Sequence, residues 1–474
     1  MNYVAKCTRD QGIATLAVVA SIALIALLIV LGVGRRTVND IQQTQAKITT
    51  EQSLSRAWAA LDCAVAKIEH DGIHLSKGDA AAGIEQLSSC QHIAGSQLWL
   101  EPWQDSEGAL WHLYATHAQQ QVGVTLAGAS GGRASSFVTS GSAAFYGGNI
   151  WRPAKGKKRK DGLYECHSII AGGDVMIRPR MPDESPPESE EPDSPNGFTV
   201  SLGGGDECAP EYKTKVSDYT VADSRDETGA RLKKDVQTNV ENMDLFKDYF
   251  GVPRAQWKTV RDQFERQGGI VVNTHHDPSL CYETLLNAMN VTEQAHAKIW
   301  IDGPCDLSRV YSDDSENAAI ETQARFNNQK PILLVVQDGI LALRGALSQF
   351  NGVVFQFNPT LSADDFAHQW GMEATQQGEL SCVHSNINLN ELCTLIVKHS
   401  ENPTQARRTP FWFHGSFQTH GGFIVDIPGG HIVVNGSFKP NYNGNHVRDS
   451  FEGLGLLRPL YNSYHDIKPP HGEG

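Results

Sequence analysis

Gly128-Ala129-Ser130-Gly131-Gly132 matches the Gly-x-Ser-x-Gly spacing that presents a serine nucleophile on a tight strand-to-helix turn. A helix must follow such a turn, and GRASSFVTSGSAA after it has β and loop character, so the motif is expected to be a loop. His275-His276-Asp277 offers two imidazoles and a carboxylate, but at adjacent positions, whereas a metal-binding helix spaces its ligands at i and i+4. Asp313-Asp314-Ser315-Glu316 has oxygen ligands without the alternating pattern of a calcium loop, and Gly203-Gly204-Gly205-Asp206 lacks the Lys-Ser or Lys-Thr that completes a phosphate loop. Asp302, Asp338 and Asp426 lie close to strand-like runs. Glycoside cleavage would need two such carboxylates paired on one face. Asp302 and Asp338 have the sequence character of turn residues. These patterns point to no catalytic residue, cofactor or metal ion.

The elements around these residues say more. Ile13 to Val33 is an almost unbroken apolar run, flanked by Lys6 and Arg9 before it and Arg35 and Arg36 after it. As a helix it would span roughly 30 Å, the hydrocarbon thickness of a bilayer. A cleaved secretory signal is the rival reading, but its apolar part is shorter and ends in a small-residue cleavage site that Gly32-Val33-Gly34-Arg35-Arg36 does not supply. Beyond the run, Val38, Ile41, Ile48, Leu54, Trp58, Leu61, Val65 and Ile68 recur mostly at three- and four-residue steps, with no Gly or Pro between Arg35 and Asp71. This pattern predicts one helix, apolar all round at first and amphipathic later, ending at Gly72. A separate second helix is the alternative.

The chain has 474 residues, room for two or three domains, and a formal charge of −14, which argues against wrapping nucleic acid. Of the cysteines, Cys7 precedes the apolar run and eight follow it: Cys63, Cys90, Cys166, Cys208, Cys281, Cys305, Cys382 and Cys393. No Cys-x-x-Cys zinc spacing occurs, so disulfides in an oxidising compartment are favoured over a metal framework, with buried thiols as the alternative. Sequential pairing would close the shortest loops, joining Cys63 to Cys90, Cys166 to Cys208, Cys281 to Cys305 and Cys382 to Cys393. Disulfides would place the body outside the cytoplasm and the N-terminus inside.

Alternating stretches such as LWLEPW, LWHLYATHA and QVGVTLAGAS predict a small sheet laid on the amphipathic helix. The basic cluster Lys155-Gly156-Lys157-Lys158-Arg159-Lys160 is expected to be a solvated face whose nearest complement is the acidic, Pro-rich tract from Pro179 to Gly197, itself a loop or linker; binding of anionic lipid or nucleic acid is the alternative. Val236, Val240, Met243, Phe246 and Phe250, then Trp257, Val260 and Phe264, predict two helical pieces broken at Gly251-Val252-Pro253. Later come short Val- and Ile-rich runs ending in Gly or Asn: GGIVVN, KIWIDG, PILLVVQDG, ILALRG, NGVVFQF, GGFIVDI and GGHIVVNG. Repeated strands of this kind suggest a parallel β-helix, with an antiparallel β-sandwich as the alternative.

Gln11-Gly12, the apolar stretch from Ile13 and its polar helical continuation resemble the N-terminus of type IV pilin-like proteins, most closely the PilX-type minor pilus-assembly proteins. The signature covers about residues 9 to 70. Gly-rich strand repeats and the tail FEGLGLLRPLYNSYHDI extend it loosely over 270 to 467. The resemblance implies cleavage between Gly12 and Ile13 by a prepilin peptidase, and assembly with other pilin-like subunits out of inner-membrane lipid. Two positions depart from the major-pilin pattern: Ile13 stands where Phe or Met is usual, and Ala17 stands where the family has a Glu. Tip-type subunits similarly lack that Glu.

The sequence therefore predicts an α+β protein: a leader at 1–12, a transmembrane and amphipathic helix at 13–71, a pilin-like β region at 72–178, a linker at 179–197, and a β-rich C-terminal domain with a helical insertion at 198–474. The expected role is a non-enzymatic, periplasm-facing minor pilin at or near a filament tip that binds no nucleic acid, with adhesion through its exposed loops as a further reading. A membrane-anchored enzyme acting on envelope polysaccharide is the alternative.

Overall fold

The computed structural model describes residues 9–71, 84–102, 110–127, 132–179, 197–216, 221–225, 231–290, 297–308, 331–376, 378–451, 454, 458–459 and 463–467. Helix α1, Arg9–Asp71, is continuous through 63 residues, so the apolar run and the amphipathic stretch form one rod. At coarse level the chain is α+β, this long N-terminal apolar helix followed by a β-rich region with interspersed helices.

Only the C-terminal part of α1 is packed. Ala57, Ala60, Leu61, Ala64, Val65 and Ile68 are buried, at the three- and four-residue steps that put them on one stripe. The three alanines let a sheet approach closely, and burial of Leu61, Val65 and Ile68 stabilises the contact by roughly 1.5–3 kcal/mol each. The sheet is antiparallel, built from strands Gln97–Pro102, Leu110–His117 and Gln120–Ala127. Its period-two pattern sends Leu98, Leu100, Trp111, Leu113, Ala115, Val122, Val124 and Leu126 onto the helix. Cys63 of α1 is bonded to Cys90 of the short helix α2, Ser88–Ala94. The far C-terminus completes this sheet: Arg458–Pro459 and His465–Ile467 both pair antiparallel with Gln120–Ala127.

The body between them is a ladder of mostly parallel strands. One run comprises Ile270–Asn273, Ala297–Asp302, Ile332–Gln337, the second halves of Leu341–Phe357 and Phe411–Asp426, then Phe137–Thr139, Ile169–Ala171 and Val236–Gln237. A second run comprises Cys305–Leu307, the first halves of the two long strands, His431–Tyr442, Ser142–Tyr146 and Val175–Arg178. Only Ala222–Asp223, at its end, pairs antiparallel. An antiparallel sandwich would alternate in direction throughout.

The first run is apolar on both faces. Ile299, Ile301, Leu334, Val336, Phe423 and Val425 point into the core shared with the second run. Trp300, Leu333, Val335, Phe355 and Ile424 point outward, where helices Leu245–Phe250, Trp257–Arg266 and Gly444–Phe451 cover them. Burial on both faces explains why Ile332–Gln337 reads as a continuous apolar run, not an alternating one.

The order of strands in space is not their order in the chain. From residue 132 the chain enters mid-ladder and runs to one end at Val236–Gln237. It crosses the outer face through the helices at 245–266 and restarts at the opposite end with Ile270–Asn273. From there it winds back until Phe423–Val425 docks on Phe137–Thr139 and His431–Asn435 on Ser142–Tyr146. Glycines line the bends, because stacked corners leave no room for a Cβ. One built on Gly339 would lie 1.8 Å from the carbonyl oxygen of Gly303, and one on Gly436 would lie 2.0 Å from that of Gly415.

Several expectations need correction. The strands at 137–146 and 169–178, expected in the helix-packed region ending at 178, hydrogen-bond to the body, so the first sheet's share of this stretch ends with the strand Gln120–Ala127. Val236 and Val240 do not begin a helix: Val236 lies in a strand, and the first helical piece starts after Asp244, whose side chain caps it by accepting from the Lys247 N–H at 2.9 Å. The break at 251–253 is present, with Gly251 in the left-handed conformation. Helices Leu280–Asn290, Ile387–His399 and Pro403–Arg407 were not anticipated. The acidic tract at 180–196 lies outside the described residues.

Candidate functional site

The feature that most demands an environment other than water is the N-terminal portion of α1. Leu16, Ile22, Ile25, Leu28 and Leu31 are 54–73% exposed, and every residue from Leu16 to Gln52 is exposed. An exposed apolar surface of this extent marks a membrane or a protein interface. The segment is long and apolar enough to cross a bilayer. Val38, Ile41 and Ile48 lie beyond it, each about half exposed, and continue an apolar stripe toward the packed region. Ala17 is exposed in a regular helix, its carbonyl accepting from the Ser21 hydroxyl at 2.8 Å. Gly12 and Ile13 are helical.

The eight cysteines downstream of the apolar run form four bonds: Cys63–Cys90, Cys166–Cys208, Cys281–Cys305 and Cys382–Cys393, with Cα–Cα distances of 5.6, 5.7, 5.1 and 5.9 Å. Each closes a loop within one structural region, as nearest-neighbour pairing anticipates.

The chemistry-bearing motifs are dispersed. Residues 128–131 and the acidic group at 313–316 lie outside the described residues. Gly132 packs against the ring of Tyr249. Asp277 accepts from the Ser279 N–H at 3.0 Å and the Ser279 hydroxyl at 2.5 Å, a turn function ahead of the helix at 280. His275 Nε2 stands 3.3 Å from Asp302 Oδ1, but the other oxygen of Asp302 is held by Arg261 at 2.8 Å. Asp206 of the glycine-rich loop is paired with Lys155 at 2.5 Å, which holds its carboxyl below the ordinary range.

The three strand-associated carboxylates do not pair. Asp302, Gln337, Phe357 and Asp426 occupy one column, so Asp302 and Asp426 are separated by three strand steps, roughly 14 Å. Glycosidase carboxylates stand about 5–9.5 Å apart. Asp426 is fully buried and accepts from Arg254 Nε at 2.9 Å, Arg254 Nη2 at 2.5 Å and the Phe246 N–H at 2.9 Å. Burial pushes its carboxyl up, against the lowering pull of Arg254. Asp338 accepts from the Thr360 and Leu361 N–H groups and the Thr360 hydroxyl, as a turn residue does.

Sequence reasoning did not single out a small polar cleft on the second strand run, lined by Ser142, Asp174, Met176, Arg225, Glu401 and His431. Arg225 bridges Asp223 and Glu401, donating to each at 2.9–3.1 Å. Burial pushes the His431 imidazole down to about 4, so it is neutral at pH 7. The cleft holds about 60 Å³, room for a few waters, whereas ligand pockets run to roughly 300 Å³ or more. It is an ion-paired seam between the lobe around Glu401 and the strand ladder. Nothing in the local sequence signals it, since its members come from distant segments.

Among the described residues no group of three or more His, Cys, Asp or Glu side chains could hold a metal ion. No family model matches the chain, and neither the curated proteins nor the solved structures contain a match to it.

Proposed function

We propose that this chain is a non-enzymatic minor pilin-like subunit, inserted through α1 into a type IV pilus or related filament at or near its tip. The observation that carries the reading is the two-part helix: one rod whose first part is apolar and bare and whose last part is clamped beneath an antiparallel sheet by Ala57 to Ile68. Such a rod can exchange lipid for the packed helices of other subunits without rearranging the body, because its exposed part is already helical and needs only an apolar surround. The missing carboxylate at Ala17 favours the tip. A Glu buried in a filament core needs a partner such as a neighbouring subunit's free amine, and a terminal subunit has no neighbour above it.

The body is, on this reading, a parallel β-helix whose coils are stacked through the glycine corners. Its four disulfides suit an oxidising periplasm or cell exterior, which sets the N-terminus in the cytoplasm. The anchored-enzyme alternative is less supported, since Asp302 and Asp426 are each engaged by an arginine and stand too far apart for paired acid–base work.

The leader provides the test. In cells that carry a prepilin peptidase, N-terminal sequencing of the membrane-extracted protein should begin at Ile13. Gly12→Val should retain residues 1–12, because a branched side chain blocks the close backbone approach that a glycine permits. A wild-type protein that still begins at Met1 in such cells would count against processing and, with it, against filament entry.

A further inference from the structure

We propose that the hairpin formed by strands Ala154–Lys158 and Tyr164–His167, with the segment bonded to it at Cys208, is a docking surface for an acidic polysaccharide. Residues 155–160 hold five cations and no carboxylate in a chain whose net charge is −14. Lys155, Lys157, Lys158 and Lys160 are all exposed. A positive patch on a negative body attracts a polyanion in one orientation only, because the rest of the surface repels it.

The patch is built rigidly. The Cys166–Cys208 bond and the bridge between Tyr164 and Cys208 lock the third segment to the hairpin. The Lys155 and Lys158 ammonium groups sit 5.6 and 5.3 Å from the centre of the Tyr164 ring, and that of Lys234 sits 5.8 Å from the Tyr212 ring. These contacts restrain long side chains that would otherwise lose entropy on binding. Internal neutralisation is incomplete. Lys155 meets Asp206, Arg159 meets Glu211 and Lys213 meets Glu207, whereas Lys157, Lys160 and Lys215 have no carboxylate within 4 Å among the described residues.

The chemistry selects the class of polyanion. Lysine ammonium groups are hydrated point charges without the planar fork of arginine, so they recognise repeated negative charge more than a particular phosphate geometry. Single-stranded nucleic acid binds through bases stacked on free aromatic faces. Here Tyr164 and Tyr212 each carry the protein's own ammonium groups instead. An extended, hydrated polymer with repeated carboxylates or sulfates fits a hairpin whose β-bulge brings Lys155 and Lys158 to the same Tyr164 ring, with Lys157 and Lys160 exposed beside them. The surface chemistry does not depend on the filament reading.

The full chain in neutral detergent should bind immobilised heparin at about 0.15 M salt, near physiological ionic strength. The double variant Lys157→Glu/Lys160→Glu should weaken heparin binding about tenfold or more and flatten its salt dependence, since each phosphate-like contact removed lowers the slope by about one. Lys258→Glu, exposed on the helix Trp257–Arg266 at the other end of the ladder, should change little, and unchanged melting curves would show that all variants fold. Failure to bind heparin at that salt, equal loss in Lys258→Glu, or tighter binding to duplex DNA of matched length would each overturn the proposal.

Discussion

Gly436→Ala is expected to lower the stability of the strand-ladder body by at least about 3 kcal/mol, read as a fall in the urea or thermal midpoint of the body. Its φ of 132° lies where L side chains are rarely found, and a Cβ there would stand 2.0 Å from the Gly415 carbonyl oxygen and 2.9 Å from its carbonyl carbon. Both obstacles are backbone atoms of a neighbouring strand paired in register with Gly436, so neither can rotate away. Gly205→Ala separates strain from collision. Its φ is 86°, but nothing lies within 4 Å of the added Cβ, so the cost should be about 1–2 kcal/mol, the conformational penalty alone. Equal losses at the two positions would mean that close stacking of the corners does not limit the fold.

Arg254→Ala should cost about 3–5 kcal/mol, because it leaves the buried Asp426 carboxylate without its counter-charge. The pair joins the helical strap at 245–256 to the strand Phe411–Asp426, and so fixes the crossover that carries the chain from one end of the ladder to the other. The pH dependence has a defined sign. Burial already raises the Asp426 carboxyl, and loss of Arg254 removes a lowering influence, so the folded-state value rises further above that of the unfolded chain. A group raised in this way contributes stability when protonated and loses it as pH climbs through its folded value. The deficit of Arg254→Ala should therefore shrink between pH 7 and pH 5. A deficit that grows over that interval would show that Asp426 is not the group left unpaired. Replacing both residues, Arg254→Met with Asp426→Leu, should recover much of the loss.

Local signals made much of the architecture legible. The apolar run from Ile13 and the three- and four-residue steps from Leu54 to Ile68 predict a helix that forms over its whole length, because helix periodicity is contained within a few turns. Short runs such as ILLVVQ and FIVDI become strands, and cysteines near one another in sequence become bonded. Partner choice was not legible. Phe137 finds Phe423, and Val122 finds Asp466, across hundreds of residues, and no local pattern in either segment names the other. For the same reason the boundary expected at 178 falls in the wrong place: the strands at 137–178 have ordinary strand composition, and only their pairing assigns them to the body. Arg254, Arg225, Glu401 and His431 were invisible as site residues because each acquires its role from a side chain far away in the chain. His275-His276-Asp277, whose adjacent spacing argues against a metal site, forms no cluster: His275 faces Asp302, and Asp277 accepts from Ser279 in a turn.

The filament assignment rests on where the protein ends up. Filaments sheared from cells and labelled with an antibody against the body should carry the label once, at one end, and deleting the gene should reduce the number of filaments without altering their bulk composition. Label spread evenly along the shaft would contradict the tip position. Label confined to the inner membrane, with filament numbers unchanged by the deletion, would contradict the filament role altogether.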